Sequence, residues 1–403
     1  MSLERSDSGQ PPRFLLLLPP APSNPTHASL KSAYSSTIIQ VLQEVALHSP
    51  ECASQAAVLE IGLACPHLVG HHQKSRASLY HQTQSLLAGI YKLITVVAAQ
   101  EGINVEDADG VDVRVILVAW DGEHEDEVVV GRTPYGPVID LPTLAKSGRQ
   151  WQFAFGVETD EGEKFLRAFV TAKSSTEEAS SSSNPPSTSP PSSSSSDNAT
   201  RRHNIAVGGT WDHLHAGHKL LLTMTLFLLD PRIASKPFTA TIGITGDALL
   251  TAKKHAHLLQ SWTERQKSCA TFTNSIVDFS TTASSQGSRQ VSIRDDAGPN
   301  GKGVDITYPN GLVVKFTEIQ DPFGPTITEQ EIEGLVVSGE TRSGGKAVND
   351  KRKELGWKEL DVYEVDVLDA GEEGEGSVKE GFESKLSSSA IREKLAGKDR
   401  GKM

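Results

Sequence analysis

The stretch GGTWDHLHAGHKLLL, residues 208–222, holds the residue types and spacing with the greatest chemical reach in this chain. An apolar run ends in Gly208, Gly209 and Thr210, and His215 and His218 then bracket Gly217 at the start of a leucine-rich segment. Glycines at a strand end let a ligand approach the backbone closely. A helix starting near Gly217 turns its free N–H groups and positive dipole end to the same place, which suits a phosphate. Imidazoles there can hydrogen-bond phosphoryl oxygens as charge builds in a transition state. Two rivals stand beside this reading. The histidines could hold Zn2+, although no Cys or carboxylate set completes such a site, or one of them could only cap the helix. The segment GETRSGGKAV, residues 339–348, lacks the spacing and the Ser/Thr of a P-loop. Attack at an α-phosphate therefore fits this chain better than γ-phosphoryl transfer.

Such a motif needs a strand before it and a helix after it. Residues 205–208 end an apolar strand and 217–229 read as a helix. The pattern then repeats, with strands at 239–245, 313–319, 335–338 and 361–367 and helices at 261–279 and 388–395. Repeated strand–helix units imply a doubly wound parallel sheet with helices on both faces, its ligands beyond the carboxyl ends of the strands. The polar, Gly-rich stretch 280–311 reads as a surface insertion, and 369–381 as a second loop. Towards the N-terminus, 13–18 and 111–120 read as strands and 29–47 and 79–98 as amphipathic helices. This region, 11–172, is expected to be a separate α/β domain without a catalytic motif. Its His67, His71, His72 and His81 match no metal spacing and read as surface or loop residues. Between the two regions, 173–201 contains SSSSNPPSTSPPSSSSSDNAT, almost pure Ser, Pro and Thr. Such a composition buries too little apolar surface to offset its ordering entropy and reads as a disordered linker. The second domain is then 202–398.

A length of 403 residues suits two domains. The formal net charge of -12 argues against a general nucleic-acid binder. The three cysteines, Cys52, Cys65 and Cys269, form no CxxC pair, which suggests a reducing compartment. No apolar stretch is long enough to span a bilayer, and the first residues do not read as a secretory signal. A soluble protein of the cytoplasm, with the nucleus as a second compartment, is expected, without a membrane partner.

GGTWDHLHAGH resembles the His/Thr-x-Gly-His signature of a nucleotidyltransferase superfamily. LSSSAIR, residues 386–392, resembles that superfamily's second signature, Ile-Ser-Ser-Thr-x-Ile-Arg. Within it the chain looks like the eukaryotic and archaeal phosphopantetheine adenylyltransferases. GITGDALLTAKK (243–254), WTERQK (262–267), DPFGPT (321–326) and VVSGETRSGGKAVNDKR (336–352) carry the likeness, which covers nearly all of 203–396. Trp211 stands where Phe is commoner, and Ser389 where Thr is. An N-terminal extension of this kind is consistent with a fungal enzyme of coenzyme A synthesis.

The resemblance implies a Rossmann-like fold for 202–398 and a reaction. ATP and 4′-phosphopantetheine would give dephospho-coenzyme A and pyrophosphate by direct in-line attack, with Mg2+ assisting and no dedicated metal site on the protein. It also implies roles. Thr210 would bind the attacking phosphate. His218 would contact the α-phosphate, and His215, with Gly208, Gly209 and Gly217, would help bind the nucleotide. Lys253 or Lys254 would hold the incoming phosphate. Arg342 would contact the nucleotide phosphates. Ser387, Ser388 and Arg392 would cradle the β- and γ-phosphates, as hydroxyls at a helix start and a guanidinium can. With no P-loop domain, the chain should stop at dephospho-coenzyme A. Other enzymes of the same pathway are expected partners. Two rival readings are a cytidylyltransferase or nicotinamide-mononucleotide adenylyltransferase of the same fold, and a non-catalytic scaffold of the pathway. Glu383, Ser384 and Lys385 before the serines weaken the cytidylyltransferase reading.

Overall fold

The computed structural model describes residues 11–48, 56–70, 74–106, 110–123, 133–175, 202–230, 237–281, 288–296, 298–368 and 387–400. Most of the serine-rich stretch and the 369–381 loop lie outside these residues, as do Cys52, His71 and His72.

The first half holds strands β1 (Arg13–Leu18), β2 (Ala57–Ala64), β3 (Val111–Ala119), β4 (Val138–Asp140) and β5 (Phe153–Gly156). They form one parallel sheet in the order β4-β3-β2-β1-β5. Its helices are α1 (His27–Leu47), α2 (Arg76–Gln100), α3 (Leu141–Lys146) and α4 (Asp160–Ser174). Leu30, Tyr34, Ile38, Leu42 and Val45 recur at helical spacing and form the buried stripe of α1. Thr26 caps that helix, its hydroxyl accepting from the Ser29 N–H at 3.2 Å. Every residue of β2 is buried, as a central parallel strand with both faces covered should be.

The second half holds β6 (Asn204–Gly209), α5 (Ala216–Phe227), β7 (Phe238–Thr245), α6 (Trp262–Val277), β8 (Gln290–Asp295), β9 (Lys302–Thr307), β10 (Leu312–Ile319), β11 (Gly334–Ser338), α7 (Arg342–Glu354), β12 (Asp361–Val365) and α8 (Ser388–Arg400). The sheet runs β12-β11-β6-β7-β10-β9-β8. The first five strands in that order are parallel, and β9 pairs antiparallel with both β10 and β8.

Two expectations change here. The 280–311 stretch is not a plain surface loop, because β8 and β9 form a hairpin added to the edge at β10, with Val291 opposite Ile306. The sheet is therefore mixed rather than wholly parallel. Strands at such an edge keep one face in water, so they carry no strong apolar run. An apolar cluster runs without a break from α1 and α2 of the first half to α5, β7 and β10 of the second.

Candidate active site

The loop 210–215 joins β6 to α5 at the carboxyl ends of the parallel strands, where open α/β sheets bind ligands. Its backbone is unusual. Trp211 and His213 both have positive φ, 59° and 46°. For non-glycine residues this costs about 1–3 kcal/mol each and persists only where surrounding contacts over-determine it. Those contacts are present. Trp211 is fully buried and donates its indole N–H to Gly243 O at 2.9 Å. The His213 N–H donates to Gln260 Oε1 at 2.9 Å. Asp212, also fully buried, accepts from the Gln260 N–H at 3.0 Å and from the Arg392 guanidinium. Gly209 is required by this packing, because a Cβ there would lie 3.0 Å from the Trp211 ring. Gly208 beside it is exposed and meets no such crowding.

His215 occupies the N-cap of α5 but makes no side-chain cap bond, so the capping reading of that residue does not hold. Its ring stacks on that of His218, with centroids 3.9 Å apart and planes 25° apart. Trp211 backs His218 at 5.3 Å. A Cβ on Gly217 would lie 3.2 Å from His215 Cε1, so glycine there leaves room for the ring. Burial, the neighbouring His218 ring and the Lys219 cation hold the His215 pKa well below its usual value. Burial lowers that of His218 to about 3. Both rings are thus neutral at neutral pH, and the His218 ring is hydrogen-bonded to the His213 backbone. The Nδ1 atoms of both are buried and have no hydrogen-bond partner. Buried polar atoms rarely stay unpaired, and these two lie together at the start of α5.

Arg265 in α6 belongs to the WTERQK motif, yet residue patterns assigned it no role. It is fully buried and gathers the loops around the site. Its guanidinium donates to Thr210 O at 2.6 Å, Thr245 O at 2.8 Å, Gln260 O at 3.0 Å and the Asp247 carboxylate at 2.6 Å. The one visible sequence cue is its place directly after the Ser261–Glu264 capping box, which fixes where α6 begins.

The remaining candidates divide. Arg392 reaches the motif loop, but it is 2% exposed and its charge is taken by Asp212, with further bonds to Lys254 O at 3.1 Å and Ser389 Oγ at 3.2 Å. It ties α8 to the loop instead of offering a free guanidinium. Ser387 Oγ accepts from the Ala390 N–H at 3.3 Å, and Ser388 begins α8. Lys253 and Lys254 are exposed in the turn after β7, Lys254 paired with Glu393 at 2.9 Å. Arg342 begins α7 at the end of β11, one strand from β6, and donates through Nε to Glu364 at 2.7 Å. In the first half His67 bonds Thr83 Oγ1 at 3.0 Å. Among the described residues no three His, Cys, Asp or Glu side chains are grouped to hold a metal ion.

Residues 1–188 match the model of a family described as "Domain of unknown function (DUF8446)". Over 191 residues the chain is 35% identical to "Uncharacterized protein C1F12.08" of Schizosaccharomyces pombe, covering 47% of this chain and 48% of that one. Over 198 residues it is 33% identical to a phosphopantetheine adenylyltransferase of Saccharomyces cerevisiae, covering 49% and 50%. Over 193 residues it is 26% identical to a phosphopantetheine adenylyltransferase of Pyrobaculum aerophilum, covering 48% and 91%. The chain thus spans about half the length of the two fungal relatives. No helix among the described residues is long and apolar enough to cross a membrane. About half of this α/β chain is distantly related to proteins named phosphopantetheine adenylyltransferase.

Proposed function

We propose that the chain transfers the adenylyl group of ATP to 4′-phosphopantetheine, giving dephospho-coenzyme A and pyrophosphate. The observation that carries this reading is the stacked His215–His218 pair, neutral and with unpartnered Nδ1 atoms, at the start of α5. The names of the distant relatives supply the substrates.

In this reading a phosphate oxygen of the acceptor attacks the α-phosphorus of ATP. The bond to the bridging oxygen breaks on the opposite side, and pyrophosphate leaves. His218 donates its ring N–H to an α-phosphate oxygen as charge accumulates there, after exchanging its bond to the His213 backbone, with the α5 N-terminal amides behind it. A neutral imidazole is a suitable donor because it needs no proton uptake during the step. Thr210 and either Lys253 or Lys254 hold the attacking phosphate. Arg342 reaches the nucleotide phosphates after exchanging Glu364, and the α8 N-terminus with Ser387 and Ser388 takes the pyrophosphate. Arg392 acts one step back, by pinning Asp212 and so the loop that presents Thr210. Mg2+ bound to the ATP phosphates would spread their charge. Catalysis is then positioning and charge stabilisation, without a covalent enzyme intermediate.

The test is pyrophosphate release by the full chain with ATP and Mg2+, with and without 4′-phosphopantetheine. Release that requires this acceptor supports the proposal. Release with CTP, or with nicotinamide mononucleotide as acceptor, moves the assignment within the fold. ATP binding without release for any acceptor favours a non-catalytic scaffold.

A further inference from the structure

The half of the chain that matches a family of unknown function reaches the candidate site through two buried cations. The first is Lys219, which directly follows His218 and lies one helical turn after His215. It is 5% exposed. Its ammonium donates to Asp112 Oδ1 at 2.6 Å and to Val113 O at 2.9 Å, both in β3. Asp112 is held in turn by Arg114, through Nε at 2.9 Å and Nη2 at 2.6 Å. The second is Arg149, which donates to the carbonyls of Ser275 and, at 3.1 Å, Asp278 at the end of α6. Its other partner is Glu60 of β2 at 2.9 Å, a fully buried carboxylate that also accepts from Arg13 and Trp151. The two helices held this way carry the histidine pair and Arg265.

The Leu- and Phe-rich residues of α5 rest in a continuous core shared with α2, which fixes the helix by shape. A buried ammonium with two acceptors, one of them a backbone carbonyl, fixes it by charge as well. Any rotation of α5 would strip a charge of its partners in a dry interior. Lys219 also lies next to the reactive ring in sequence, so what fixes one fixes the other.

We infer that the N-terminal half is a positioning element of the site, with Asp112, through Lys219, setting the rotation of α5 that places His215 and His218. Asp112 is a positioning residue and touches no substrate. The kinetic part of its test rests on the proposed adenylyl transfer, whereas the spectroscopic part does not.

The experiment uses the full chain with Asp112→Asn, Asp112→Glu and the double variant Asp112→Asn/Lys219→Met. Circular dichroism and thermal unfolding report folding. Side-chain NMR of 15N-histidine protein reports the rings, those of His215 and His218 being identified by their loss in His215→Gln and His218→Gln. Steady-state rates give kcat and KM for ATP. In folded Asp112→Asn both ring resonances should move while those of His67 and His81 stay. Its kcat should fall about tenfold or more with KM for ATP changed little, the pattern of a misplaced reacting group. Asp112→Glu should recover part of the rate. If Asp112→Asn fails to fold, the double variant, which leaves no ammonium unpaired, should fold and show the same ring shifts and loss of kcat. Wild-type resonances in a folded variant would overturn the inference, whether or not the chain proves to be an adenylyltransferase. Moved resonances in a chain inactive with every acceptor would leave the positioning intact and sink the reaction.

Discussion

The two site histidines owe their chemistry to burial. An exposed imidazole is half-charged near pH 6.5, whereas the packing around Trp211 and Gly217 keeps this pair neutral. His218→Ala should lower kcat about a hundredfold or more, the scale for one lost transition-state donor, while calorimetry still detects ATP binding. Burial also sets a pH dependence of stability. Between pH 6.5 and the His218 value of about 3, the unfolded chain binds a proton that the folded chain refuses. Stability is therefore fully present above pH 6.5 and falls as pH drops through that window, by up to about 1.4 kcal/mol per pH unit for one such group. His67, lowered to about 4 by burial and by Lys74, acts in the same direction. The urea midpoint should decrease from pH 7.5 to pH 5, and by less in folded His218→Gln. An equal decrease in both proteins would refute the assignment of that slope to His218. The spacing of His215 and His218 was legible in the sequence. The capture of Arg392 by Asp212 was not, because the two are 180 residues apart and charge pairing leaves no periodic trace.

At the level of elements, the site depends on how α5 and α6 begin. Gly217→Ala replaces a poor helix former, a gain of about 1 kcal/mol, but sets a methyl 3.2 Å from the His215 ring. The variant should be as stable as wild type or more so, yet turn over several-fold more slowly. A full rate would show that the His215 position is unimportant. Arg265→Met should cost about 1–3 kcal/mol, since it leaves the carbonyls of Thr210, Thr245 and Gln260 without this donor. Chemical denaturation measures that directly. Strands rich in apolar and β-branched residues, β1, β3 and β7 among them, could be read from composition. β8 and β9 could not, since their pairing at a sheet edge demands little of their side chains. The amphipathic α4, with Phe165 and Phe169 on its buried face, carries a stripe at helical spacing that is visible in the sequence.

Across the whole molecule the two sheets share a pattern. β1 lies between β2 and β5, with β3 beyond β2. Likewise β6 lies between β7 and β11, with β10 beyond β7. Each first strand leads through a loop into a helix, α1 or α5. The helix starts differ in one respect that matters for ligands. Thr26 closes α1 with its own hydroxyl, whereas His215 leaves α5 without a side-chain cap. Of these two helix starts, that of α5 is the one without a side-chain cap. The second half does not stand alone in packing, because Lys219 and the apolar side of α5 depend on β3 and α2. A 202–403 fragment should therefore show little acceptor-dependent pyrophosphate release where the full chain shows it. Equal rates from both would make the first half dispensable for chemistry.

The sequence by itself determined the α/β class, most strand and helix positions, and the placing of a His-x-x-His pair at a strand-to-helix turn. Periodicity, glycine and capping chemistry are local, so they can be read within a few residues of one another. Only the tertiary structure decided the rest. It buried Arg392 against Asp212, gathered four acceptors on Arg265, added a hairpin to the sheet edge and set Lys219 on Asp112. These contacts join residues far apart in the chain. Their energy comes from charge and hydrogen bonding in a dry interior, which exists only once the chain has folded.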